Sequence, residues 1–190
     1  MYNKLNVLFF LGISLTAAAQ TTTLPSGLFR SAEGFQQNQV LLGVDCQSEK
    51  HRIRLHEFIG KPFVTVIHSG KSYQYNKDSL FGYRDCEGQS FRFVADNQHY
   101  PIINPTESVL IYKLVQPPIA KAPGYTKLYF SKDARSPVEV LTLANLKNAF
   151  PQNHPFHDRL DAQFGNGGDL SAYDAMHRMT KINWLLKESR

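Results

Sequence analysis

Short runs of alternating apolar and polar residues follow one another from residue 28 to residue 131. Turn-forming residues separate the runs about every 8–12 positions, a spacing typical of strands joined by tight turns. The run at residues 63–68 is β-branched, so we expect it at the centre of a sheet. The runs that predict strands are residues 40–44, 52–55, 63–68, 72–75, 80–84, 90–94, 100–103, 109–114 and 127–130.

The last quarter of the chain changes to the periodicity of helices. Thr142 is the expected N-cap of a first helix, and residues 154–164 predict a second helix with proline in its first turn. A third helix is expected to run from a cap at Asp169 or Ser171 toward Lys187. The apolar face predicted for the second helix carries Phe156, Leu160 and Phe164.

The predicted third helix is apolar on two opposite sides. One stripe consists of Ala172, Ala175, Met176, Met179, Ile182 and Leu186, and the other of Leu170, Tyr173, His177 and Trp184. A helix of this kind is normally buried on two sides. We therefore expect it either to lie between the strands and the other helices or to offer one face to a partner protein.

These patterns predict an α+β fold: a small antiparallel β-domain, a barrel or a roll of about seven to nine short strands, followed by three C-terminal helices. A short helical turn capped by Ser31 is expected before the central strands. We expect residues 20–190 to form one domain, β-rich over residues 28–131 and helical over residues 142–188.

The first nineteen residues have the composition of a secretory signal peptide. Lys4 provides a basic start, residues 7–15 are apolar, and three alanines end at a predicted cleavage site after Ala19. An uncleaved membrane anchor is the alternative, but the polar residues 20–23 end the apolar run below the roughly 20 residues that span a bilayer. The sequence thus predicts a periplasmic or secreted protein that is not transmembrane after cleavage.

Cys46 and Cys86 are the only cysteines of the chain. In an oxidising compartment an even pair of cysteines is most simply a disulfide. Catalytic redox pairs usually lie close together in sequence, as in Cys-x-x-Cys, and these two do not. We therefore predict a Cys46–Cys86 bridge.

The formal net charge of the chain is +5, without a run of clustered lysines and arginines. Neither a phosphate-binding glycine loop nor a dinucleotide fingerprint is present, and the predicted export removes the chain from cytosolic cofactors and nucleic acids. We therefore expect no cofactor and no nucleic-acid partner. Arg52, Arg54 and His56 are predicted to share one face of a strand. That face is either simply solvated or an anion site.

Four side chains are candidate metal ligands. His154, His157 and Asp161 have spacings that place them on one helical face, and His177 of the last predicted helix is a candidate fourth ligand. The competing interpretation is an ordinary surface pair of His157 and Asp161, because no His-Glu-x-x-His motif or similar signature accompanies them.

Aromatic residues at alternate strand positions are candidates for a binding surface, since exposed aromatic faces hold sugars, peptides and apolar groups. The candidates are Tyr73, Tyr75, Phe81 and Tyr83. The alternative is that this face belongs to the core.

A hydrolase would need a site assembled in the tertiary structure, because no Gly-x-Ser-x-Gly motif is present. Carboxylates near strand ends, available for such a site, are Asp78, Asp85, Glu87, Asp96 and Glu107.

One stretch of the chain resembles uncharacterised exported proteins of Bacteroidota. Residues 73–85 combine the pair Lys77-Asp78 with the segment Phe81-Gly82-Tyr83, and a glycine turn and an aromatic strand follow. The resemblance implies an envelope location in a Gram-negative cell and carries no activity or catalytic residues.

The sequence thus favours an exported, non-enzymatic envelope or secreted module that binds an envelope protein or a glycan, or that has a structural role. The alternative is a hydrolase of envelope material, metal-assisted if His154, His157, Asp161 and His177 converge.

Overall fold

The structure is a computed structural model that describes residues 24–48, 50–118 and 123–190; the predicted signal peptide at residues 1–19 lies outside this range. The strands are β1 (Gly27–Phe29), β2 (Leu42–Gly43), β3 (Arg52–Arg54), β4 (Phe63–His68), β5 (Lys71–Asn76), β6 (Gly82–Arg84), β7 (Ser90–Phe93), β8 (His99–Ile102), β9 (Leu110–Gln116), β10 (Tyr125–Ser131), β11 (Glu139–Val140), β12 (Tyr173–Asp174) and β13 (Met179–Thr180). The helices are α1 (Ala32–Gln36), α2 (Leu143–Ala149), α3 (His154–Phe164) and α4 (Lys181–Lys187), with 3-10 turns at Glu57–Ile59 and Lys77–Ser79.

A large antiparallel sheet dominates the fold, in the strand order β11-β10-β9-β8-β7-β6-β1-β2. Its two edge strands, β11 and β2, do not pair with each other in the part of the chain described, so the sheet is open. The predicted α+β class with a mainly β domain is therefore confirmed. Of the two predicted forms, a barrel or a roll, the closed barrel is wrong. Edge strands as short as β11 and β2 offer few backbone groups for closing a sheet.

A second antiparallel sheet consists of β3, β4 and β5, with β4 at its centre as its β-branched sequence predicted. Val64 and Val66 of β4 are fully buried. They pack in one apolar cluster with Leu28 and Tyr83 of the large sheet. This cluster fixes the small sheet against the large one.

Helices α2, α3 and α4 cover the other end of the large sheet. Phe156, Leu160 and Phe164 of α3 are buried, as predicted, in a cluster with Val109 and Ile111. Two of these three helices start at a side-chain cap: for α2, Thr142 accepts from the backbone N–H of Asn145, and for α3, Asn153 accepts from that of Phe156, each at 3.1 Å.

Helices are not confined to the C-terminal part, because α1 follows β1. Its N-cap is Ser31, as predicted, and the Ser31 hydroxyl accepts from the Gly34 N–H at 3.2 Å. The buried side chain of Phe35 in α1 contacts the ring of Phe29 edge-on at 5.3 Å. The helix is thereby held against the sheet.

The prediction of one long helix from residue 169 or 171 to residue 187 is wrong. The hairpin β12–β13 occupies its first half, and helix α4 begins only at Lys181. Asp174 closes the hairpin turn by accepting the N–H groups of Met176 and His177, at 3.0 and 3.1 Å. Arg178 has a left-handed φ of 54°, which interrupts a helix. The two predicted apolar stripes therefore do not form.

The predicted disulfide is confirmed. The sulfur atoms of Cys46 and Cys86 lie 2.08 Å apart and their Cα atoms 5.5 Å apart. The bridge joins the segment after β2 to the turn between β6 and β7.

Among the residues described, no helix is both long enough and apolar enough to cross a membrane.

Candidate functional site

A cleft of about 360 Å³ opens where the small sheet meets the large one. Four segments form it: the turn that begins at Glu57, the turn that begins at Lys77, the turn between β7 and β8 with the start of β8, and the far end of β9. Its lining residues are Glu57, Gly60, Lys77, Asp96, Asn97, Gln98, His99, Leu114 and Gln116. We call it the Glu57–His99 cleft.

The turn between β7 and β8 has a backbone that suits its sequence. Asp96 and Asn97 both adopt left-handed φ values, 60° and 59°. Aspartate and asparagine tolerate this conformation better than other non-glycine residues do. The Val94 N–H donates to the Gln98 carbonyl at 3.0 Å and closes the turn. Polar side chains and a carbonyl are thus held at the mouth of the cleft.

His99 and Glu57 connect the two sheets across the cleft. The Nε2 atom of His99 lies 3.2 Å from a carboxylate oxygen of Glu57, and the imidazole is mostly buried. The His99 ring rests edge-on against the rings of Phe91, at 5.3 Å, and Tyr83, at 5.7 Å. Burial lowers the pKa of His99, while the Glu57 carboxylate opposes this shift. The imidazole is therefore held neutral near pH 7.

Lys77 is the most unusual residue of the cleft, because a lysine is rarely fully buried. Only 1% of its surface is exposed. Its Nζ atom donates to the Asn97 carbonyl at 3.1 Å, the one protein acceptor for this ammonium in the part of the chain described. Burial lowers the Lys77 pKa, and the nearby Glu57 opposes that shift. An ammonium has three donors, so two remain for a ligand or solvent.

The predicted aromatic surface does not form, because two of its four members belong to the core. Phe81 is 8% exposed and stacks on Phe35 at 4.7 Å, and Tyr83 is 4% exposed and stacks on Phe91 at 4.7 Å. Burial also raises the pKa of Tyr83, so its phenol stays protonated. Tyr73 is exposed and Tyr75 half-buried, both on β5. Phe81 is buried because helix α1 packs over it, and Tyr83 is buried because it lies between the two sheets.

The four candidate metal ligands do not converge. In the part of the chain described, no three histidine, cysteine, aspartate or glutamate side chains lie together in a way that could hold a metal ion. His157 Nε2 lies 3.1 and 3.0 Å from the carbonyls of Lys147 and Phe150. Because carbonyls only accept, this nitrogen carries the proton and is not a ligand. Asp161 is paired with the Lys147 ammonium at 2.6 Å.

The remaining two candidates are also placed apart. The rings of His154 and His157 are nearly perpendicular, with their centres 5.8 Å apart. His177 lies in the β12–β13 turn, where it pairs with Asp174 at 3.0 Å and stacks on Trp184 at 4.6 Å.

Two of the strand-end carboxylates accept hydrogen bonds from backbone N–H groups. Asp85 accepts from the N–H groups of Glu87 and Gln89, at 3.0 and 2.8 Å. Glu107 accepts from the Thr180 N–H at 3.0 Å. Asp96 alone among these carboxylates lines the Glu57–His99 cleft.

Sequence reasoning missed Glu57, Lys77 and His99 as site residues. They stand 20 and 22 positions apart and form no motif, and the burial of Lys77 is set by tertiary packing. The one signal in the sequence for these site residues was Lys77, which belongs to the segment that resembles exported proteins of Bacteroidota. Comparison of the chain with models of protein families, with curated proteins and with solved structures found no match.

Proposed function

We propose that this chain is an exported, non-enzymatic binding module, and that its Glu57–His99 cleft binds a hydroxyl-rich ligand, an envelope glycan. The envelope location rests on the predicted signal peptide and on the resemblance to exported Bacteroidota proteins. The Cys46–Cys86 disulfide supports it, because such bridges persist in oxidising compartments.

The buried ammonium of Lys77 is the observation that carries the proposal. Burying a charge is costly unless it is paired or hydrogen-bonded, and one backbone carbonyl satisfies only one of its three donors. Hydroxyl or carbonyl oxygens of a ligand in the cleft are suitable acceptors for the other two. An oxygen-rich ligand would therefore stabilise the buried ammonium of Lys77.

The other lining groups suit hydroxyl groups in particular, because each hydroxyl both donates and accepts. Glu57 and Asp96 offer carboxylate acceptors, while the amides of Gln98 and Gln116 offer both donors and acceptors. Leu114 adds an apolar wall. A few oriented polar groups beside an apolar contact are typical of small-ligand sites.

Binding is favoured over acyl-transfer catalysis by the lining of the cleft, because among its lining residues, all of them described, no serine, threonine or cysteine offers a nucleophile. The carboxylates of Glu57 and Asp96 are the residue types that glycoside hydrolysis would use. Hydrolysis by water is the second candidate, and the Glu57–His99 contact favours it. Glu57 accepts from Nε2–H of His99, which leaves Nδ1 as the basic nitrogen.

Titration calorimetry of the purified chain with neutral tetrasaccharides of glucose, xylose, mannose and N-acetylglucosamine tests the proposal. We expect one of these sugars to bind, and Lys77→Met to weaken its binding at least tenfold. Lys132→Met, which removes an exposed lysine far from the cleft, is the control and should leave binding unchanged.

A thermal melt of Lys77→Met shows whether the variant is folded, and Gln116→Ala provides a second, milder test at the far wall of the cleft. Binding unchanged in both variants would overturn the proposal. Release of new reducing ends from the bound sugar, abolished in His99→Gln, would instead assign the hydrolase.

A further inference from the structure

The small sheet turns a basic face to solvent. Val64 and Val66 of β4 are fully buried, and the residues that alternate with them lie on the opposite face of the sheet, where Thr65 at the centre is itself only 6% exposed. The strand register places Arg52 opposite Ile67 and Arg54 opposite Thr65. The outward positions of β3, β4 and β5 are Arg52, Arg54, Phe63, Thr65, Ile67, Ser72, Gln74 and Asn76, and we call this surface the basic face.

Two further basic side chains lie over the basic face. The ammonium of Lys61 lies 5.2 Å from the centre of the Phe63 ring. The Nε2 atom of His56 lies 2.9 Å from the Thr65 hydroxyl, and its ring contacts that of Phe63 at 5.2 Å. Arg54 is exposed on the edge strand β3. The charges of Arg54 and Lys61 and the His56 ring are therefore gathered on one side of the small sheet.

No acidic residue occupies any of the eight outward positions, all of which are described. Ser72, Gln74 and Asn76 instead add hydrogen-bonding groups along β5. Side chains two positions apart on a strand are separated by about 7 Å, so Arg52 and Arg54 lie in a row along β3, and Lys61 lies at the Phe63 end of the same face. A row suits an extended chain of anionic groups and not a single small ion.

We propose that the basic face binds an anionic polysaccharide that carries carboxylate groups. Its positive charge attracts the polymer, and the row of cations contacts successive charged units. The polar strand β5 supplies partners for the sugar hydroxyls. This site goes beyond the proposed function, because its residues and its ligand charge differ from those of the Glu57–His99 cleft.

The test is binding of the full chain to immobilised polygalacturonate over a range of salt concentrations, with neutral dextran as the reference surface. We expect Arg54→Gln with Lys61→Gln to weaken binding at least tenfold. The slope of log affinity against log salt should fall by roughly 1–2, because two ion contacts are lost. The control, Arg159→Gln with Lys187→Gln, removes the same charge from exposed positions of α3 and α4 and should change neither quantity.

Equal weakening by both double variants would overturn the proposal, because net charge alone would then explain the binding. Tighter binding to single-stranded DNA than to polygalacturonate would also overturn it and would assign a nucleic-acid surface. Lys77→Met should leave polygalacturonate binding intact. Failure at the basic face and failure at the cleft are thereby distinguished.

Discussion

The imidazole of His99 and the carboxylate of Glu57, 3.2 Å apart, join the large and the small sheet, which share no strand pairing among the residues described. Glu57 stands in the turn between β3 and β4 of the small sheet, whereas His99 begins β8 of the large sheet. This contact forms one wall of the cleft. It also makes the stability of the fold sensitive to the protonation of His99.

We predict that the protein loses stability as the pH falls below about 6.5, the ordinary pKa of histidine. Burial lowers the folded-state pKa of His99, so the unfolded chain binds the proton first and is favoured. The loss begins at the unfolded-state pKa and ends at the lowered folded-state pKa. Urea unfolding at intervals between about pH 7.5 and about pH 5 measures it.

His99→Gln should flatten part of this pH dependence, and Glu57→Gln should steepen it, because Glu57 raises the pKa of His99. A pH profile of His99→Gln parallel to that of the unchanged protein would contradict the assignment.

Asn183 holds helix α4 to the large sheet. Its Oδ1 accepts from the Val109 N–H and its Nδ2 donates to the Val109 carbonyl, both at 2.9 Å. We expect Asn183→Leu to cost about 2–3 kcal/mol of unfolding free energy, because it leaves a buried N–H unsatisfied. Lys187→Ala on the exposed side of α4 is the control and should change stability by less than about 0.5 kcal/mol. Equal losses in the two variants would refute the role of Asn183.

Phe81 and Tyr73 distinguish core aromatics from surface aromatics. Phe81 is buried between the ring of Phe35 and the guanidinium of Arg92, whereas Tyr73 is 38% exposed. We expect Phe81→Ala to cost about 3–5 kcal/mol and Tyr73→Ala clearly less. Denaturant unfolding of the two variants checks this. A larger loss of unfolding free energy for Tyr73→Ala than for Phe81→Ala would contradict the buried position of Phe81 and the exposed position of Tyr73.

Removal of the disulfide by Cys46→Ser with Cys86→Ser should cost about 2–5 kcal/mol. The bridge closes a long loop that includes the whole small sheet, since the cysteines are 40 positions apart. Urea unfolding of the unchanged protein with and without a reductant provides the matched comparison. Labelling of two free thiols in the non-reduced protein would contradict the bridge.

Local chemistry explains which elements the sequence predicts. The β-branched run at residues 63–68 becomes β4 with the predicted bounds, and Thr142 caps α2 as expected. In both cases the side chains of neighbouring residues determine the backbone conformation. The segment at residues 171–180 is different, because its alanines and methionines favour a helix. The Asp174 turn and the left-handed Arg178 make a hairpin instead.

The candidate site was much less predictable than the fold. Whether Phe81 and Tyr83 face solvent depends on how helix α1 and the small sheet pack against the large sheet, and the alternation of residues does not determine that packing. Glu57, Lys77 and His99 meet only because the 3-10 turns and the β7–β8 turn come together at the end of β9. Long-range packing of this kind leaves no local motif in the chain.

The most direct test of the cleft as a ligand site is an NMR titration of the ¹⁵N-labelled protein with the tetrasaccharide that binds most tightly. We predict saturable amide shifts in the turn at Glu57–Ile59, in the turn containing Asn97 and at His99, and none of these shifts in Lys77→Met. Saturable shifts confined to other surfaces, or no shifts with any of the four sugars, would contradict the account.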